Sequence, residues 1–333
     1  MRAGAAKRFD QPNRGRAAWI VIPALLLCPA LLHGQGAARD ALSTFPADTL
    51  QIVYSDLRQL RALPDYPRIR QWIFTQQLRN FEDFLRASGT DPEKVVDEVT
   101  LGWRGDPQNN NFFGLAEGTL DPDRMHDYAD QQKITTQPYG GYELFPFNSN
   151  QSRADLFFVF LDSSSAAFGR LDDLKVLLDV RSGTRPPLSS VAEFTNAEAE
   201  LEGTSPQWGI ARGSAAANQA APWLTGGVQS PVDPKAFLAS VQYVLYRFDW
   251  ASGFSMHMSV LCKDDKGASD LAKMLVFVRS VRPSTSTASA AASAALFQGM
   301  DIQAHESRVE VKASVPAEIA DQLFRNSGTL PSP

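Results

Sequence analysis

The sequence predicts an α+β protein: two similar halves, each an antiparallel sheet with helices packed on one face, behind an N-terminal export segment. Three observations carry this. Apolar runs with strand-like alternation come in neighbouring pairs, as hairpins do. Segments with a helical apolar stripe lie between those pairs. The same order of elements then occurs twice in 333 residues.

The first 36 residues form the export segment. Arg2, Lys7, Arg8, Arg14 and Arg16 face a single acid, Asp10; the apolar run 17–32 follows, then the small and polar HGQG. Basic, apolar, small is the layout of a secretory signal peptide. Sixteen apolar residues interrupted by Pro23 and Pro29 are short for a membrane-spanning helix. Cleavage after Gly36 or after Ala38 places small residues where a signal peptidase looks; an uncleaved anchor is the alternative. Cys28 follows Leu27 rather than a small residue, against lipidation, and Lys7-Arg8-Phe9 only approximates a twin-arginine signal.

Residues 49–57 read as a strand and 65–87 as one long helix stopped by Gly89. Asp91-Pro92 starts a helical turn, with Asp as cap and Pro at the first helical position. Residues 96–104 and 112–120 make a hairpin across GDPQNNN. Asp121-Pro122 opens a helix to about Gln132. Short strands flank the tight turn Gly140-Gly141, 155–162 is a buried strand, and 170–181 is an amphipathic helix. A connecting helix lies near 188–202.

The second half opens with a strand at 205–213. An Ala-rich stretch at 214–224 and a turn at Asp233-Pro234 follow. Residues 241–250 and 254–263 form a hairpin, 266–281 a helix, and 283–295 a further helix favoured by its alanines and Gly299. MDIQAHE and RVEVKASV make a hairpin, and a helix from Pro316 closes the chain. The domain plan is therefore signal peptide 1–36, first repeat 40–187, connecting helix 188–204 and second repeat 205–328. A period this long implies a duplicated domain rather than a solenoid.

Charge and cysteine content exclude several functions. Beyond residue 36 there are 27 Lys and Arg against 36 Asp and Glu, a formal charge of −9. Nucleic acid requires clustered cations, so it is excluded as a partner; an electrostatic hold on anionic lipid is excluded with it. Only Cys262 remains after cleavage, so the fold relies on its core and not on disulfides. Cys262 ends an alternating apolar series and reads as a buried side chain.

Catalytic patterns fail one by one. His305-Glu306 begins like HExxH, but Val309 stands at the last position and the context is a strand. His257 lies opposite Met256 and Met258 and reads as solvated. His126 sits among Asp123, Asp127 and Asp130 on an exposed helix face. Gly253-Phe254-Ser255-Met256-His257 approaches GxSxG, yet Ser255 starts a strand instead of ending one. No phosphate-cradling glycine loop or Ca²⁺ loop is present; Gly226-Gly227 is a turn. Carboxylates such as Glu93, Asp97 and Glu98 are plentiful, and any catalytic pairing among distant ones is set in three dimensions; Asp172 and Asp173 complement a helix dipole. Trp72, Trp103, Trp208, Trp223, Trp250, Tyr139 and Tyr142 read as core rather than a ligand groove.

FPADTLQIVYSDL after a signal peptide, DPEKVVDEVTLGWRG, GLAEGTLDPDRMHDYA and VQYVLYRFDWASGFSMHMSVLCKDDKGASDLAKML together cover most of the chain beyond the leader. On these the chain resembles bacterial secreted or periplasmic proteins of unknown function. The resemblance implies a duplicated α+β fold outside the cytoplasm and transfers no catalytic residue.

The expectation is an exported, non-catalytic binding or interaction protein, periplasmic or secreted. No residue is assigned a catalytic, cofactor-binding or metal-binding role, and no cofactor is implied. The partner is an unidentified protein or small molecule; membrane contact arises only through an uncleaved N-terminal segment. A hydrolase with distant carboxylates or serines, and a tethered envelope protein, remain the alternatives.

Overall fold

The computed structural model describes residues 36–74, 76–105, 112–147, 156–213, 215–216, 238–281 and 294–326. The chain divides into a unit 1–33 and a unit 34–333. The first lies outside the described residues, as do Cys28, the GDPQNNN loop beyond Gly105, most of the Ala-rich stretch, Asp233-Pro234, Gly226-Gly227, Trp223 and nearly all of the 283–295 helix.

The α+β class is the one found. Twelve strands form one antiparallel sheet in the order β11-β12-β10-β9-β8-β1-β2-β3-β7-β6-β5-β4. β1 (Thr49–Asp56), β2 (Val96–Arg104) and β3 (Phe112–Gly118) follow the apolar alternation of their sequences. β4 (Gln137–Tyr139) and β5 (Tyr142–Pro146) close over Gly140-Gly141, both at positive φ, which glycine adopts without strain. β6 (Leu156–Phe160) pairs with β7 (Ser165–Arg170), a strand that lies between the expected strand 155–162 and the expected helix 170–181. Its residues, SAAFGR, are small and carry little strand signal.

In the second half, β8 is Gln207–Arg212, β9 Val241–Asp249, β10 Phe254–Cys262, β11 Asp301–His305 and β12 Arg308–Val315. β1 and β8 are antiparallel partners at the middle of the sheet, Ile52 opposite Ile210. Each half's strands are then laid outward from that seam.

Helices cover both faces. On one lie α2 (Leu57–Arg61), α3 (Tyr66–Ile73), α4 (Gln76–Ala87), α5 (Pro92–Val95), α6 (Pro122–Gln132), α9 (Asp265–Val281) and α10 (Ala317–Asn326). Their apolar residues, among them Leu60, Ile69, Phe81, Met125 and Leu271, share one core with Val53, Leu101, Phe168, Met256 and Val311. Phe81 stacks on Phe168 with ring centroids 4.5 Å apart. Burying each such side chain contributes about 1.5–3 kcal/mol. On the opposite face, α1 (Gly36–Thr44), α7 (Leu171–Arg181), a 3-10 turn at Leu188–Ser190 and α8 (Ala192–Leu201) pack on Ile52, Tyr54, Phe113, Leu115, Val159 and Trp208.

The predicted helix 65–87 is two helices. Phe74 leaves the helical region, at φ −83° and ψ 116°, and is buried under the Arg70 guanidinium. The break falls where the apolar stripe skips a turn, since Gln76 and Gln77 stand where it needed apolar residues. Gly89 ends α4 as expected: it sits at φ +79°, and the Thr90 amide donates to the Leu85 carbonyl. The Asp91 and Asp121 caps are also present, accepting from the Glu93 and Arg124 amides. Helix α1 begins at Gly36, ahead of the expected first repeat at residue 40. Its buried side is mostly alanine, which gives almost no periodic signal. Among the described residues, no helix is long and apolar enough to cross a membrane.

Candidate functional site

Among the described residues, helices do not cover the whole of the face that carries α1, α7 and α8. At its second-half end, β9, β10, β12 and β11 present polar side chains around a pocket of about 800 Å³. Strand register builds it. Arg247 stands opposite His257, His257 opposite Lys312, and Lys312 opposite Asp301, so one row crosses four strands. The next row holds Asp249, Ser255 and Ser314. Alternation puts Met256, Met258 and Val311 in the core behind them. The rim is Thr204 and Ser205, in the turn from α8 to β8. Ser205 is buried and donates to the Phe248 carbonyl, which fixes that turn to β9.

The row behind is tightly bonded. His257 Nε2 lies 2.5 Å from Glu310 Oε2, and Ser259 Oγ donates to Glu310 Oε1 at 2.8 Å. Burial alone would raise the Glu310 pKa. The bonds from Ser259 and His257, with the charges of His257 and Arg308, outweigh it and hold the carboxyl below its ordinary value. Arg308 also forks onto Glu200 at 2.6 and 3.2 Å, tying α8 to β12. By contrast, among the described residues no hydrogen bond or ion pair engages the head groups of Arg247 and Lys312. Two unengaged cations beside two carboxylates, Asp249 and Asp301, can receive a ligand that has an anionic group and hydrogen-bond donors.

Ser259 is not placed as a nucleophile. Ser259 and His257 both bind Glu310, so the hydroxyl is directed to the carboxylate and not to the imidazole that a nucleophile requires. Ser255 sits near the start of β10, as the sequence predicts. His257 does lie opposite Met256 and Met258, but it is half-buried and bonded rather than solvated, because a cross-strand acid is in reach.

The other candidates are scattered. His126 is 3.4 Å from Glu143 and packs edge-on against Phe145, which sets it apart from the Asp123, Asp127 and Asp130 cluster. His305 and Val309 lie on different strands. Cys262 is buried, and burial pushes its thiol pKa up. Asp173 is buried and faces Arg104 Nε at 3.6 Å instead of serving only the dipole of α7. Glu98 is 3% exposed and accepts from Arg58 at 2.9 Å; Asp97 pairs with Arg61 and Glu93 with Arg70. Trp208 is wholly buried and stacks on Tyr54, and Trp250 is buried too. Tyr139 and Tyr142 are half-buried, bonded to Asp179 and Arg181.

Sequence reasoning missed Arg247, Lys312 and Glu310. Their common face was visible in the alternation around β9 and β12. Their row was not, because register between distant strands is set in three dimensions.

With this geometry in view, the chain can be compared with known proteins. No protein-family model matches it, and no curated protein does. Solved structures do match. The fold is shared with TP0453 of Treponema pallidum. Crystal form I of TP0453 superposes with a TM-score of 0.50 at 9% identity, over 86% of this chain and 97% of that one. Crystal form III gives 0.52 at 9% identity, over 86% and 98%. The likeness to TP0453 is one of architecture across nearly the whole of that protein.

Proposed function

We propose that this chain is an exported, non-catalytic binding protein, and that the open polar face of β9, β10, β12 and β11 is its binding surface. The carrying observation is the cross-strand row Arg247–His257–Lys312, whose outer cations meet no hydrogen-bond or ion-pair partner among the described residues, within a pocket of ligand size. The ligand bears an anionic group for those cations, with donors for Asp249 and Asp301. The three-part segment 1–36 supports export to the periplasm or beyond. We further propose that the two halves descend from one plan. Supporting this, the strands run β1, β2, β3, β7 to one side of the seam and β8, β9, β10, β12 to the other.

The test is a titration of isotope-labelled protein with phosphate, a dicarboxylate, free amino acids and a short acidic peptide, read by amide chemical shifts. The expected result is saturable shifts around Arg247, His257 and Lys312 for at least one probe, lost in Arg247→Ala. Shifts elsewhere, or none, overturn the reading. Ester hydrolysis that disappears in Ser255→Ala and in His257→Ala overturns it in favour of a hydrolase.

A further inference from the structure

The start of α1 runs into a concentration of acids. Ala37, Ala38 and Ala41 are fully buried in the second core. The backbone nitrogen of Ala37 lies 3.1 Å from Glu98 Oε2, and Glu98 is itself 3% exposed. Glu117 lies beside it: a Cβ placed on Gly36 would stand 2.4 Å from Glu117 Oε2. The other oxygen, Glu117 Oε1, is buried and receives no hydrogen bond. Asp40, in the first turns of the same helix, hydrogen-bonds the Glu117 side chain, and Asp162 adds further negative charge. Burial and these acids push Glu117 up to about 8, and only a protonated carboxyl can bond another carboxyl here. Arg58 reaches Glu98 through its other oxygen. Glu117 thus has acidic neighbours; its Oε2 is the oxygen nearest Gly36, and its Oε1 is buried without a partner.

The export segment ends at the same place. Its two candidate cleavage points flank Ala37 and Ala38, and the fold separates them. Cutting after Ala38 would delete two fully buried residues from the core. Cutting after Gly36 deletes only an exposed glycine, the one crowded against Glu117.

We propose that the chain is cut between Gly36 and Ala37 before it folds, and that the new α-ammonium of Ala37 is held as a buried ion pair by Glu98 and Glu117. A membrane peptidase adds water across the peptide bond: the C–N bond breaks, Gly36 leaves with the carboxylate, and Ala37 keeps the amine. That amine takes up a proton at neutral pH, since α-amino groups titrate near 8 and acidic neighbours raise this further. Three N–H donors and a full charge replace the single amide N–H. One stays with Glu98 Oε2; the others are available to the Glu117 carboxylate beside Gly36 and to Asp40. The cut comes before folding because Ala37 is inaccessible afterwards. The bonded terminus then marks a processed chain as the better-folded one. This rests on the export half of the proposed function and not on its ligand.

The experiment expresses the full chain in an exporting bacterial host and sequences the N-terminus of the product. Ala37 is expected; Arg39, or an intact Met1, overturns the proposal. Thermal unfolding at pH 8 then compares the chain starting at Ala37 with one retaining Gly36, whose amine is displaced by one residue. A midpoint lower by about 5 °C is expected for the Gly36 form. Glu117→Gln in both forms should close most of that gap, because its amide no longer needs the cation. Equal midpoints for the two unsubstituted forms overturn the ion pair even if cleavage is correct. Failure of ligand titration at Arg247 leaves these outcomes untouched, so the two ideas fail separately.

Discussion

Among the described residues, one face of one sheet is closed by helices at its first-half end and open at its second-half end. Over β1 and β3 it carries Ile52, Tyr54, Phe113 and Leu115, and α1, α7 and α8 bury them. Over β9, β10 and β12 the same face carries Arg247, His257, Ser259, Glu310 and Lys312, and a pocket lies there. The two ends share strand type and outward order. What differs is the side-chain chemistry at alternate positions. Apolar rows recruit a second helical layer; polar rows, which bury little apolar surface, do not. The polar pocket thus lies at the end of the sheet that carries no second layer among the described helices.

The largest effect should come from breaking the closed end. Phe113 is fully buried with its ring centroid 4.6 Å from that of Phe45, so Phe113→Ala should cost about 3–5 kcal/mol in urea unfolding. A cost below about 1 kcal/mol would mean that α1 does not hold this layer in place.

Two carboxylates sharpen the comparison through pH. Burial raises the pKa of Asp173 at the closed end despite Arg104 and Arg170. Its neutral form suits the fold, so native stability should decline as pH climbs from the unfolded value near 4 through the raised folded one. Asp173→Asn should remove that decline. Glu310 at the open end is shifted down, so its contribution is present above the unfolded value and is lost as pH falls through the folded one. Glu310→Gln should lower stability at pH 7 by about 0.5–1.5 kcal/mol, with the deficit shrinking in strong acid. Urea midpoints at pH 3 and pH 7 should therefore change in opposite senses for the two variants. A shared sense would refute the contrast. The smallest effect belongs to Lys312, which is exposed: Lys312→Ala should leave stability within about 0.5 kcal/mol while weakening any anionic ligand at least tenfold.

Much of the fold was legible in the sequence because local rules decide it. β2 was placed from Val96 to Arg104 by its apolar alternation, and α6 from Pro122 by the Asp121 cap. Elements with weak local signal were missed: the alanine-sided α1, the small-residue β7 and the break at Phe74. The second helical layer was not foreseen, since an amphipathic stripe says that a helix packs and not on which face. The candidate site was the least legible part. His257 was noticed, but its partner Glu310 lies 53 residues away, and only the β10–β12 register brings them together.

The central seam joins β1 to β8, with Gln51 opposite Ala211. A chain threaded outward from its N-terminus delivers β1 long before β8. Until then β1 lacks the neighbour on that side, and its two apolar faces, with Ile52 and Tyr54 on one and Val53 on the other, stand beside an unpaired edge. Closing so long a loop is slow relative to local hairpins. Folding should therefore have a rate-limiting late step, with the first half waiting in a sticky, partly built form. A holdase that shields this edge would then set how much of the chain reaches the finished sheet.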